Sequence, residues 1–495
     1  MSDSCEKIVF WGRGVNTERF LFYTGTEDVV AIIDSNPAYH GTVWEGLPVI
    51  NLEDYLASYE EYPIIVTPEI YADDIVAVLQ EHNIEHYILL KEVLDLHMRR
   101  GQEAETSEMY GHDERKYRVV DAIQRRFLNA WIRTGSAYFE HQSRSSYTFS
   151  LERLRNILKA TRRPVGFYPS SIRNDAYSLI CGTKVGAITQ ESIRTADLIL
   201  YTDMAGGLAN EYALLSMEAA CREIPLLLLG DGFLLGIEPP EQQDLLPLAY
   251  KRPHSAILDE HGIYLDANHP SLIESILASS LVFSEKEKER AIGLMKKICD
   301  MKLSKYNHQP MKALSIGETG REKILIIDQV YGDRSIAYGM ADDETFLRML
   351  EAAQRENPGA DIYIKTHPVP SKGHFQNVIA GGNIHFLRDA INPIVLLEAM
   401  DKVYVCTSQM GFEALMCGKE VHVYGMPFYA GWGVTMDRQN CPRRTRRREI
   451  WEIFYVAYVL CTIYVSYRTQ GICEIEQAIE EITELRDRYF AEMHF

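Results

Sequence analysis

Between residues 323 and 425 five short apolar runs, KILIIDQ, DIYIK, IHFLRD, KVYVC and EVHVYG, alternate with helical patterns, and this alternation constrains the fold more than any other feature. Strands separated by crossover helices pair in parallel, and helices then cover both faces of the sheet. Such strands read as nearly continuous apolar runs, as these do. The pattern predicts a doubly wound α/β unit with one helix over 343–356 and another starting at Asn392. At 495 residues the chain has room for about three domains of this size.

A second α/β segment is expected over 151–315, with strands at VGFYPS, LILYTD and PLLLLGD and a helix, ANEYALLSMEAAC, between the last two. With 316–445 it makes two similar lobes and a cleft. Residues 1–100 open on KIVFWG, a helical stretch and VVAIIDS, a βαβ start, and continue through PIIVTP and HYILL as a small Rossmann-like domain. Residues 101–150 read as a helical connection and 446–495 as C-terminal helices. In the second of these, Ile475, Ile479, Ile482 and Leu485 recur at helical spacing. The longest uncharged apolar stretch, Ile453 to Tyr467, is shorter than the roughly 20 residues a spanning helix needs, and is expected to be a buried helix.

Fifty-one basic against 70 acidic residues give a net charge of −19, which repels nucleic acid and anionic surfaces, so any anion site must be a local basic patch. Nine scattered cysteines without a CxxC pair suit a reducing compartment. The N-terminus lacks an export signal, so a cytoplasmic location is expected.

In Gly12-Arg13-Gly14-Val15-Asn16-Thr17 a threonine takes the place of the third glycine of a dinucleotide fingerprint, although Asp34 lies near where a ribose-binding acid is expected. Packing or partner contact is the favoured role of this domain. The 316–445 lobe places more polar groups at its strand ends, where open α/β sheets bind ligands. His367, stiffened by Pro368, can donate to a phosphate oxygen or be a satisfied structural histidine. Ser408 and the helix start after it suggest an anion site, and Glu413 can accept from ribose hydroxyls or simply favour the helix dipole. Asp333 can serve as nucleophile or base, or cap a turn. No D-x-D string or metal-ligand spacing occurs, which suits a donor carrying one phosphate. Arg443, Arg444, Arg446, Arg447 and Arg448 read as a solvated charge run, a carboxylate-binding cluster or a patch for anionic lipid or glycan.

Four strings carry a resemblance: QVYGDRS (Gln329–Ser335), KTHP (Lys365–Pro368), TSQMGFEALMCG (Thr407–Gly418) and PFYAGWGVTMD (Pro427–Asp437). Taken alone, the last has the composition of either a sugar-facing or a packed loop. A weaker echo is GDGFL (Gly230–Leu234) with LDEHGIYLDA (Leu258–Ala267), so that the likeness spans Phe167 to Gly471. Read in order, they resemble the bacterial capsule polysaccharide synthesis family of KpsC-like retaining β-Kdo glycosyltransferases. The resemblance implies a GT-B-like pair of Rossmann-like lobes, a CMP-Kdo donor, no metal or cofactor, and retention of the β configuration. It implies His367 and Ser408 on the CMP phosphate with Gln409 beside them, Glu413 on the ribose, and Lys365 or the arginine cluster facing the Kdo carboxylate. Asp333 becomes the nucleophile and Asp231 a general acid. The implied partners are the nucleotide-sugar donor, a glycan or glycolipid acceptor and a capsule assembly complex, with peripheral contact at the inner face of the cytoplasmic membrane. The chain departs from the family at Gly230–Gly236 (GDGFLLG), where EDGF followed by Arg-Ser is usual, and carries one transferase module where KpsC has two. Transfer of another CMP-activated acid sugar or polyol phosphate, or a degenerate glycan-binding module, are the competing readings.

Overall fold

The computed structural model describes residues 7–14, 17, 21, 26, 28–68, 71–89, 151–167, 174–201, 215, 219, 222–237, 247–260, 262–312, 320–366, 373–376 and 378–492. The chain divides into two compact units. The first is Met1–Tyr147, Tyr168–Ser170 and Ala187–Leu226; the second is Thr148–Phe167, Ser171–Gly186 and Leu227–Phe495. The helical connection expected at 101–150 lies outside the described residues.

In the first unit six strands, β1 (Ile8–Trp11), β2 (Val29–Ile33), β3 (Val43–Trp44), β4 (Leu47–Ile50), β5 (Ile64–Val66) and β6 (Tyr87–Leu89), form a sheet of order β3-β4-β2-β1-β5-β6. All pairs are parallel except β3–β4. Among the described residues its core includes Val9, Ile33, Ile64, Val66 and Leu79 from this sheet and its helices, with Ile84 from the turn before β6. The glycine loop after β1 serves the fold. Gly12 has φ +108, and a Cβ there would stand 2.6 Å from Pro68 Cγ. Thr17, fully buried, donates to the Gly12 carbonyl and lies 2.7 Å from Thr67 Oγ1, which accounts for a threonine where the fingerprint has glycine. Asp34 accepts from the Arg13 and Asn36 amides, so its carboxylate holds the loop. The unit also contains Leu198–Tyr201 (β9); Gly186–Ala187 (β8) spans the boundary, and Pro164–Phe167 (β7) belongs to the second unit.

The second unit contains the sheet read from the apolar runs: β12 (Lys323–Ile327), β13 (Asp361–Lys365), β14 (Ile384–Leu387), β15 (Lys402–Val405), β16 (Glu420–Val423) and a short β17 (Met436–Asp437). Every pair is parallel, in the order β14-β13-β12-β15-β16-β17. Helices Glu344–Glu356 and Pro393–Glu398 fall where the periodicity predicts, the second capped by Asn392.

Beside this sheet, β10 (Leu226–Asp231), β11 (Ser255–Asp259), β18 (Thr462–Ser466) and β19 (Gly471–Cys473) pair antiparallel in sequence. One expectation is corrected. The C-terminal region is not purely helical, because the apolar stretch from Ile453 splits into a helix (Ile450–Phe454), a π-turn (Tyr455–Leu460) and strand β18. Thr462-Ile-Tyr-Val-Ser is β-branched and aromatic, and it covers the edge of β11, which would otherwise be unpaired. The last helix, Ile475–Glu492, buries Ile475, Ile479 and Ile482 in the main core as its spacing predicts. No described helix is long and apolar enough to cross a membrane.

Candidate functional site

β12 has β13 on one side and β15 on the other, so its carboxyl end is where the crossover direction reverses and a crevice opens. The QVYGDRS and TSQMGFE strings leave β12 and β15 there, and a buried polar network ties them together. Gln329 donates to Ser335 Oγ (3.1 Å) and Thr407 Oγ1 (2.9 Å) and accepts from the Thr407 amide (2.9 Å). Asp328 accepts from the Gln329 and His374 amides through Oδ1, leaving Oδ2 buried without a partner. The His374 ring spans Asp328 and Asp343, 3.1 Å from each; burial opposes its charge, yet these two carboxylates raise its pKa.

One turn past β15, the helix Met410–Met416 presents Glu413, 1% exposed. Its Oε1 accepts from Ser304 Oγ (2.8 Å) and Gln409 Nε2 (3.2 Å), while Oε2 has no hydrogen bond. Burial pushes its pKa up to about 7 against the pull of Ser304, Gln409 and Lys305. A carboxyl so enclosed shapes the site from within, and the geometry does not favour its reading as an open ribose ligand. Gln409 also donates to the Phe233 carbonyl (2.9 Å), joining this helix to the GDGFLLG string.

Asp231 ends β10, and its Oδ2 lies 3.5 Å from Lys305 Nζ, with side chains 9% and 17% exposed. The two segments are fastened by backbone. The Lys305 carbonyl accepts from the Leu235 and Gly236 amides, and buried Asn307 donates to the Gly236 and Ser304 carbonyls. Glycine is required beside Asp231: a Cβ at Gly232 would overlap Ser255, and one at Gly230 would stand 3.0 Å from the Tyr264 ring. Hence Gly230, where the resemblance leads one to expect glutamate, sits beneath a tyrosine whose hydroxyl donates to the Asp231 carbonyl (3.2 Å). Leu234 and Leu235 are buried.

The structure thus gathers Asp231, Gln409 and Glu413 and adds Ser304 and Lys305, which no local sequence signal marks. Asp333 stands at an exposed helix start, Oδ1 accepting from the Ser335 amide (2.9 Å). Ser408 Oγ accepts from the Met410 amide, and its carbonyl from Tyr429 Oη. Lys365, at the end of β13, donates to the Asp389 carbonyl (2.8 Å), and burial lowers its pKa. His367 lies outside the described residues. Among the described residues no group of three or more His, Cys, Asp or Glu is placed to hold a metal ion.

The aromatic string and the arginines prove structural. Phe428, Tyr429 and Trp432 are buried, Phe428 lying 4.7 Å from Phe233 between ring centroids, so these three rings pack into the core. Arg443 and Arg444 both hydrogen-bond Glu274, Arg444 also donates to the Pro427 and Ala430 carbonyls, and Arg446 and Arg448 donate to carbonyls ending the helix Leu272–Ala278. Four of the five guanidiniums therefore make contacts that hold the fold together, Arg446 from an exposed position.

The sequence profile described as "Capsule polysaccharide biosynthesis protein" matches residues 207–319 and 316–469. The chain is 38% identical over 268 residues to the capsule polysaccharide modification protein LipA of Neisseria meningitidis serogroup B, covering 51% of this chain and 36% of LipA. It is 37% identical over 279 residues to the lipopolysaccharide-processing protein LpsZ of Rhizobium meliloti, 55% of this chain and 60% of LpsZ. The chain therefore spans about a third to three fifths of these curated relatives. Among solved structures, the β-Kdo 2,4 transferase of Thermosulfurimonas dismutans KpsC superposes with a TM-score of 0.57 at 35% identity, over 65% of this chain and 98% of that one.

Proposed function

Because the chain belongs to the capsule polysaccharide biosynthesis protein family, we propose that its second unit is a glycosyltransferase. In this reading it moves Kdo from CMP-Kdo, with retention, to a capsular or related surface glycan or glycolipid. The observation that carries this reading is the enclosed corner where Asp231 meets Lys305 beside the Gln409–Glu413 turn. The likeness to a β-Kdo transferase over nearly all of that protein's length supports the donor.

Retention at one site calls for two inversions or a front-side route, and the reading here takes the first. Asp231, enclosed and held beside a cation, suits the nucleophile better than exposed Asp333, whose Oδ1 caps a helix. An Asp231 oxygen attacks the anomeric carbon, and the carbon–oxygen bond to phosphate breaks, its electron pair leaving with CMP. The acceptor hydroxyl then attacks the same carbon, the ester to Asp231 breaks, and the hydroxyl proton passes to a base, the role assigned here to Asp333. Ser408 and His367 would meet the single phosphate, which needs no metal bridge of the kind a diphosphate uses. Contact with the inner face of the cytoplasmic membrane stays part of this reading through the acceptor alone.

The test is CMP release from CMP-Kdo made in situ, with a β-Kdo-terminated glycolipid, followed by NMR of the new linkage. A β product, loss of turnover by about 1,000-fold or more in Asp231→Asn, and a smaller fall of about 10–100-fold in Asp333→Asn are expected. A covalent glycosyl adduct by mass spectrometry should map to Asp231. CMP binding without release by the wild type would favour the degenerate glycan-binding module, for which buried Leu234 and Leu235 at the altered string are the supporting observation.

A further inference from the structure

We propose that Cys299 and Cys417 are a thiol–disulfide pair through which a small-molecule disulfide locks the helix Met410–Met416 to the helix Glu285–Asp300. The inference goes beyond the transferase reading and assigns a covalent modification site to two residues that the reaction above leaves unused.

Cys299 lies in the last turn of Glu285–Asp300, and Cys417 follows Met410–Met416 as its C-cap. Leu294 and Ile298 of the first helix share a core with Phe412 and Leu415 of the second, so apolar packing sets the spacing of the two. It leaves Cys299 Sγ 3.9 Å from Cys417 Sγ, with both residues half-buried. A disulfide bond is about 2 Å long, so closure asks each sulfur to move by about 1 Å. The pair is also chemically unequal. With the Cys417 thiol donating to Cys299, that bond lowers the Cys299 pKa, while the same bond and burial raise that of Cys417. Cys299 is therefore the thiol that attacks first, because the thiolate is the nucleophile.

The exchange balances in two steps. Cys299, its proton given to water, attacks one sulfur of the small disulfide; the S–S bond breaks and one small thiolate leaves with the electron pair. Cys417, its proton passing to that thiolate, then attacks the Cys299 sulfur of the mixed disulfide, and the second small thiolate departs and takes a proton from water. The two cysteines are oxidised to one disulfide and the small disulfide is reduced to two thiols. In a reducing compartment the reverse exchange keeps both residues as thiols.

The bridge acts on the candidate site from behind. Glu413, four positions before Cys417, accepts from Ser304 Oγ (2.8 Å), and Ser304 stands five positions after Cys299. Gln409, one turn earlier, donates to the Phe233 carbonyl (2.9 Å). A staple between the cysteines fixes the spacing of Ser304 and Glu413 and removes the small adjustments by which such a corner closes on a substrate.

The test uses the full chain, reduced and then treated with oxidised glutathione, beside Cys299→Ser and Cys417→Ser. Peptide mass mapping of the folded wild type is expected to find the Cys299–Cys417 bridge, reversed by dithiothreitol. Cys417→Ser should stop with one glutathionyl group on Cys299, and Cys299→Ser should form no bridge at Cys417. The cysteines lie 118 positions apart, so the bridge closes a long loop. The thermal midpoint of the second unit should then rise by about 5–10 °C. CMP release from CMP-Kdo should fall about tenfold in the bridged form and recover on reduction, with Cys299→Ser unresponsive. A wild type that forms no bridge, or forms it only in urea, overturns the inference. So does a bridged protein that keeps the midpoint or the turnover of the reduced one. If the reduced wild type releases no CMP at all, the donor reading fails, and the bridge and the midpoint alone decide the inference.

Discussion

At the residue scale the most informative group is Glu413, because its environment opposes its charge. Its pKa is about 7 in the fold, against an ordinary value of 4.5. Between those values it is protonated in the folded chain and ionised in the unfolded one, so unfolding releases a proton and becomes easier as pH rises. Relative to Glu413→Gln, the wild type should thus lose stability from about pH 4.5 to pH 7, by on the order of 3 kcal/mol in all. His254, which burial pushes down to about 4, works in the opposite sense between about pH 4 and 6.5. It is common to both proteins and cancels in their difference. Urea denaturation of the pair at pH 5, 6, 7 and 8 measures the gap. Parallel curves would show that Glu413 stays ionised in the fold, contrary to its burial.

At the scale of elements, the segment Arg443–Arg448 shows how a cluster that looks like a surface feature can be a structural clamp. Glu274, in the helix Leu272–Ala278, is buried and faces both Arg443 and Arg444, the latter only 2% exposed at its side chain. Removing its charge leaves a buried guanidinium uncompensated. Glu274→Gln should therefore destabilise the second unit by about 3 kcal/mol, with a lower urea midpoint, while Arg447→Gln, at an exposed position, changes little. A Glu274→Gln protein as stable as wild type would mean that the cluster is solvated after all. The sequence could not reveal this clamp, because arginines and glutamate lie some 170 positions apart. The same reason hides Lys305 and Ser304, whose partners Asp231 and Glu413 belong to other elements. What periodicity does carry, the parallel strands β12 to β16 and their helices, was legible because each apolar run answers to one local rule. The run from Ile453 answers to two, being long enough for a helix and β-branched enough for a strand. The unpaired edge of β11, which no local pattern announces, decides for strand from Thr462 onward.

At the scale of the whole molecule, an anionic donor must approach a protein of net charge −19. The long-range field then opposes encounter, and binding depends on cations held at the site itself. This makes the second unit the part of the chain whose stability responds to ligand. Among the described residues the sheet β1 to β6 has a core of its own, its buried members lying within residues 9–84, whereas the main core of the second unit runs from Phe233 to Ile482. Separate cores favour separate cooperative transitions. Calorimetry of the full chain is therefore expected to show more than one transition. CMP at 100 times its Kd should raise only that of the second unit, stabilising it by about 2.7 kcal/mol through mass action. The glycine loop of the first sheet predicts the other half of the result. Its Gly12 carbonyl and Arg13 amide are engaged by Thr17, Thr67 and Asp34, so the transition of that sheet should stay where it was. A shift of both transitions together would mean that the two cores unfold as one, and a shift of the first alone would move the nucleotide site to the glycine loop and away from Asp231.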